Sequence, residues 1–123
     1  INQDVYYADI LWENVTTLAK NKKVEFTPVP KFPEVRRDLA LLVDKSVTFE
    51  DIVALTKQRG GSLIQEINLF DVYEGKNLEK NKKSYAVSFI LRDDNKTLTD
   101  DKIDKVMDNL IKQFTKNLGA TLR

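Results

Sequence analysis

The residues best placed to do chemistry lie in two stretches, Leu69-Phe70-Asp71-Val72-Tyr73-Glu74-Gly75 and Lys82-Lys83-Ser84-Tyr85-Ala86-Val87-Ser88-Phe89. Side chains alternate between the two faces of a strand. Read as strands, these stretches put Asp71, Tyr73, Ser84, Ala86 and Ser88 on one face. Phe70, Val72, Tyr85, Val87 and Phe89 fall on the other. One ring, one carboxylate and several small residues make a poor core but suit a nucleotide base. Tyr73 would stack, Asp71 and Ser84 would meet the polar edge, and Ala40 and Ala86 would leave room. Splayed bases of single-stranded RNA loops are recognised in this way. The competing reading has Tyr73 covering a sheet edge or packing against residues 1–27, and pattern alone leans towards it.

Charged clusters add less. Lys76, Lys80, Lys82 and Lys83, with Arg36, Arg37 and Arg92 near the same rim, could hold phosphates. Such contacts position a nucleic acid without specifying its sequence. Glu74 and Glu79 dilute the charge, so the lysines alone read as a solvated turn. Asp93-Asp94 and Asp100-Asp101 could bind a metal, but they fit a turn and a helix start better.

The elements that position these residues can be read in order. Asp38 to Asp44 alternates as a strand, with Leu39, Leu41 and Val43 on one face and Ala40 and Leu42 on the other. Thr48 caps a helix, with Asp51 three residues on. Ile52, Leu55 and Thr56 form its apolar stripe, and Gly60-Gly61 ends it. Leu63 to Tyr73 is a second strand whose early and late parts do not alternate in phase, so a bulge is expected in the early part. Ser84 to Arg92 is a third strand. Thr99 caps a second helix bearing Ile103, Val106, Met107, Leu110, Phe114 and Leu118 at helical spacing. Gly119 stops it, and Ala120 to Arg123 forms a short last strand. The order β-α-β-β-α-β over residues 36–123 predicts an α+β, ferredoxin-like fold. Two helices then cover one face of a four-stranded antiparallel sheet and leave the other open.

Residues 1–33 differ from the rest. Val5 to Trp12 reads as a strand, Asn14 as the cap of a helix through Ala19, and Val24 to Thr27 as extended. Pro28, Pro30 and Pro33 mark a stiff linker. We expect residues 1–33 to be the tail of a preceding domain plus linker, and 34–123 to be the folded domain. The tail should fold back on residues 36–123 or pair copies of the chain. The chain opens on Ile1 rather than Met, so a longer protein is expected.

Composition limits the options. The 123 residues suffice for one core, and net charge is only +1, so any polyanion site depends on local placement of the 20 basic residues. There is no Cys and no His, which removes disulfides, thiolate nucleophiles, histidine bases and the usual zinc ligands. No apolar run approaches the roughly 20 residues that span a bilayer. A small phosphatase would need a phosphate cradle, and the turn between Asp44 and Thr48 has no glycine. A regulatory or small-ligand domain on the same fold stays open as the alternative.

Four segments in register carry a resemblance: FPEVRRDLA at 32–40, LFDVYEG at 69–75, KKSYAVSFILRDDNKTLTDDKI at 82–103, and GATLR at 119–123. Together they closely resemble the C-terminal ferredoxin-fold anticodon-binding domain of the bacterial phenylalanine–tRNA ligase beta subunit. The resemblance implies that the open face holds the anticodon of phenylalanine tRNA, above all its wobble guanine. Tyr73 would stack on that base, Asp71 would contact its edge, and Ser84 and Ala40 would line the pocket. Arg36 and Arg37 would lie near the RNA backbone; the 76–83 connection varies within the family, so Lys82 and Lys83 are expected as further phosphate contacts from their place in the basic rim alone. It also implies a cytoplasmic class II ligase of alpha2-beta2 assembly, with this chain joined to the rest of the beta subunit and to the alpha subunit. The active site, with ATP and magnesium, would lie on the alpha subunit, so this chain should hold no catalytic residue, cofactor or metal. It should not contact a membrane, and Arg123 should lie close to the native C-terminus.

Overall fold

The computed structural model describes the whole chain except residues 1, 21, 24 and 27. Its elements are α1 (Trp12–Ala19), β1 (Val35–Asp44), α2 (Phe49–Arg59), β2 (Ile64–Tyr73), β3 (Lys82–Leu91), α3 (Asp100–Leu118) and β4 (Thr121–Leu122). The strands form one sheet in the order β2-β3-β1-β4, and the β1–β3, β2–β3 and β1–β4 pairs are all antiparallel. This is the arrangement expected from the β-α-β-β-α-β order. β1 and β3 are central, while β2 and β4 are edges.

One face of the sheet is sealed by α2 and α3. Leu41 and Val43 of β1 and Val87, Phe89 and Leu91 of β3 pack with Ile52 of α2 and Ile103, Met107, Leu110 and Phe114 of α3. Phe89 and Phe114 meet with ring centroids 6.2 Å apart. α3 presents this apolar stripe because its buried residues recur at three- and four-residue spacing. Thr56, buried within α2, satisfies its hydroxyl by donating to the Ile52 carbonyl at 2.7 Å.

The helix ends follow their local chemistry. Thr48 and Asp51 form a reciprocal cap: the Thr48 hydroxyl accepts from the Asp51 amide at 3.2 Å, and the Asp51 carboxylate accepts from the Thr48 amide at 2.8 Å. Donation onto that carboxylate from the Thr48 amide, and from the Thr48 hydroxyl at 2.7 Å, holds the Asp51 carboxyl below the usual carboxylate range. Thr99 stands at the α3 N-cap with extended backbone but makes no side-chain cap bond. Gly119 closes α3 with φ of 61°, in the left-handed region.

Two expectations need correction. Val5 to Leu11 forms no strand, and α1 starts at Trp12, so Asn14 lies inside the helix rather than capping it. A strand persists only through a paired neighbour, and neither sheet edge takes this stretch. Every described residue from 2 to 31 is exposed, so the tail does not fold back onto the domain. Of the expected extended piece, Val24 and Thr27 lie outside the described residues, while Glu25 and Phe26 belong to no strand. The second correction concerns β2. The expected bulge falls between Ile64 and Glu66, but a second lies between Leu69 and Asp71.

Candidate nucleic-acid interface

The uncovered face is built from rungs that run across the sheet. Asp71 of β2 lies opposite Ala86 of β3, and Ala86 lies opposite Ala40 of β1. The Arg123 amide, just past β4, donates to the Ala40 carbonyl at 3.0 Å. The next rung runs from Tyr73 through Ser84 and Leu42 to Thr121. Ala40, Ser84 and Ala86 thus keep the centre of the face low beside Leu42, and Asp71 and Tyr73 rise from the β2 edge. Three strand spacings make this face roughly 14 Å wide, ample for a planar base.

Tyr73, on one edge strand, meets Arg123, just past the opposite one, the guanidinium carbon lying 5.1 Å from the ring centroid. Tyr73 therefore neither caps a bare edge nor packs on the tail. Its ring also lies over Gly75, where any Cβ would overlap the phenol. Gly75 lies just past the end of β2, where the chain turns.

Polar groups available to a ligand surround the ring. Asp71 is exposed and stands apart from the flanking ion pairs, Arg36–Asp38 at 2.8 Å and Lys82–Asp44 at 3.0 Å. Ser84 and Ser88 are nearly buried between neighbouring strands, at 5% and 4% exposure. Their hydroxyls are not sealed orphans: no fully buried side-chain nitrogen or oxygen lacks a partner among the described residues. The hydrogen bond and charge of Asp38 raise the Arg36 guanidinium above its ordinary pKa, so it stays cationic.

The structure brings Tyr73, Asp71, Ser84, Ala40, Arg36 and Lys82 to this face. It takes Arg37 and Lys83 to the other. Arg37 shares the phase of Leu39 and Leu41, and its guanidinium lies 3.5 Å from Asp100 at the start of α3. Lys83 pairs opposite Val43, and its ammonium sits 4.8 Å from the Tyr85 ring, beside the α2 cap. Phe70 is the opposite correction. Expected on the helix face, it is the unpaired residue of the second bulge, 55% exposed, with the Arg36 guanidinium over its ring.

The charges around the turn after β3 are held in local pairs. Asp93 accepts from the Asn95 amide and pairs with Lys102, while Arg92 bridges Glu34 and Asp94. No group of three carboxylates that could hold a metal forms among the described residues. Among the described residues, no helix is long and apolar enough to cross a membrane.

An open ferredoxin-like face with one aromatic platform over a small-residue floor meets a family signal that covers it. Residues 30–123 match the ferredoxin-fold anticodon binding domain. The chain belongs to that family. Its whole length is 49% identical to a stretch of the phenylalanine–tRNA ligase beta subunit of Bacteroides fragilis, 48% to that of Porphyromonas gingivalis, and 41% to that of Clostridium tetani. In each case the chain spans about 15% of the relative's length. The resemblance drawn from the four sequence segments therefore holds. In this anticodon-binding domain, sequence reasoning missed Arg123, Gly75 and the side taken by Phe70. Only Gly75 left a trace, as a glycine two residues beyond a surface tyrosine.

Proposed function

We propose that the chain is the anticodon-binding module of a phenylalanine–tRNA ligase beta subunit, reading the anticodon loop of phenylalanine tRNA at a distance from the chemistry. The observation that carries this reading is the rung Asp71–Ala86–Ala40–Arg123 with Tyr73 beside it, in a member of the anticodon binding family. A loop base stacks on Tyr73, and the Asp71 carboxylate accepts hydrogen bonds from its edge. Asp71 accepts only, so it favours an edge rich in N–H donors, such as that of guanine. Ser84 supplies a hydroxyl, and Ala40 lets the ring sit close to the sheet.

Backbone contacts come from Arg36 and Lys82 on the open face. Arg37 and Lys83, engaged on the helix side, drop out of this role. Phenylalanine activation with ATP and magnesium belongs to the rest of the ligase, a cytoplasmic alpha2-beta2 assembly in which this module joins the remainder of the beta subunit. The small-ligand alternative would use the cleft between α2 and β2 lined by Val53, Thr56, Ile64 and Ile67, which needs none of the open-face residues.

The test is binding of a phenylalanine-tRNA anticodon stem-loop to the wild-type chain and to Tyr73→Ala. A stacked base contributes about 1–3 kcal/mol, so the variant should bind roughly 5- to 150-fold more weakly. Equal affinities would remove the stacking role.

A further inference from the structure

We propose a second stacking subsite on the open face, formed by Phe70 and Arg36, for an unpaired nucleobase near the one on Tyr73. It rests on the reading that this face binds single-stranded RNA, and it adds a platform that reading does not contain. Leu69 lies opposite Val87 and Asp71 opposite Ala86, which leaves Phe70 without a partner. A bulge of this kind re-aims a side chain. Counted back from Asp71 and Tyr73, Phe70 would alternate onto the helix face; counted on from Leu69, which packs against the core, it falls on the open side, and the bulge keeps Phe70 and Asp71 both on that side. A large flat ring is thus held 55% exposed beside Asp71.

The ring is held in place by charge. The Arg36 guanidinium carbon lies 5.3 Å from the Phe70 centroid, and Arg36 is tied to Asp38 by a 2.8 Å bond from Nε. Arg36 and Asp38 share the phase of Ala40, so the group belongs to the same face as Tyr73. The pattern repeats the first platform, where Arg123 lies 5.1 Å from the Tyr73 ring. An aromatic face beside a guanidinium is the combination that receives single-stranded bases without regard to sequence, since each base has a π-face. Tyr73 lies three positions after Phe70 along β2, roughly 10 Å at strand spacing. That exceeds the roughly 3.4 Å rise between stacked bases of one strand, so the two bases would be splayed, as in a loop.

The experiment measures binding of the 123-residue chain to the anticodon stem-loop and to a set of the same hairpins with one abasic nucleotide at each loop position. Wild type, Tyr73→Ala, Phe70→Ala, Phe70→Leu and Phe70→Trp are compared, with urea unfolding of each as a check on folding. Phe70→Ala and Phe70→Leu should each weaken binding about tenfold, and Phe70→Trp should retain it. One abasic hairpin should erase the effect of Phe70→Ala, and a different one that of Tyr73→Ala. Wild-type affinity in Phe70→Ala or Phe70→Leu, alongside a weakened Tyr73→Ala, would overturn the second subsite and leave the first standing. A single abasic position silencing both variants would overturn it as well. Failure of the wild-type chain to bind any hairpin would overturn both readings.

Discussion

Along β3, Tyr85, Val87, Phe89 and Leu91 point into the helix layer, while Ser84, Ala86, Ser88 and Ile90 point away from it. The same backbone serves two faces with opposite demands. The covered face is chosen for volume and apolarity, and Val43, Val87, Phe89 and Leu91 there are fully enclosed. The open face is chosen for what it leaves vacant. Its centre is low at Ala40, Ser84 and Ala86, and its rings stand at the edge strand with a guanidinium near each. The contrast predicts a division of effects: substitutions on one face should change stability, and those on the other should change recognition.

The largest effect should come from the covered face. Phe114→Ala removes a fully buried ring packed against Phe89, and such truncations cost about 3–5 kcal/mol. Urea unfolding should show that loss, with stem-loop affinity per folded molecule unchanged. A large drop in affinity of the folded fraction would break the division.

Tyr73→Ala should do the reverse, weakening the stem-loop by the 5- to 150-fold given above while leaving the urea midpoint near that of wild type. Gly75→Ala sharpens the point further. The new methyl overlaps the far end of the Tyr73 side chain, which can swing aside at little cost to the fold. Affinity should fall, by no more than in Tyr73→Ala, and the double variant should lose no more than Tyr73→Ala alone. An additive double variant would show that Gly75 does not act by placing that ring.

The smallest effects belong to the α2 cap, remote from the open face. Thr48→Ala should cost about 1 kcal/mol of stability and leave RNA binding unchanged. The Asp51 carboxyl titrates below its ordinary range because Thr48 donates to its charged form. Its contribution is therefore complete above the unfolded value, about pH 4, and is lost as pH falls through the lower folded value. Asp51→Asn should flatten the urea midpoint against pH in that acid range. An unchanged acid limb would assign the pH dependence to other carboxylates.

Much of this was legible from local pattern. Alternation in β1 assigned Leu39, Leu41 and Val43 to the core. The helical spacing from Ile103 to Phe114 described the buried side of α3, and Thr48 with Asp51 marked a helix start. The same period-two rule, carried from Leu39 back to Arg37 and from Tyr85 back to Lys83, also places both cations on the helix side, although their charge suggested otherwise. The tail was less legible. VYYADILW has the composition of a strand, but composition supplies no partner.

The sequence by itself determined the β-α-β-β-α-β order, the family, and the presence of Asp71, Tyr73, Ser84 and Ala40 on one sheet face, because period and capping are local properties. Tertiary structure alone decided that Phe70 faces the open side, since a bulge is defined by register against β3. It alone brought Arg123 to Tyr73, because two residues of β4 pair with β1 and carry the chain end across from the opposite edge. Contacts between strands far apart in sequence depend on strand order and register, and neither is written in the spacing of residues along one strand.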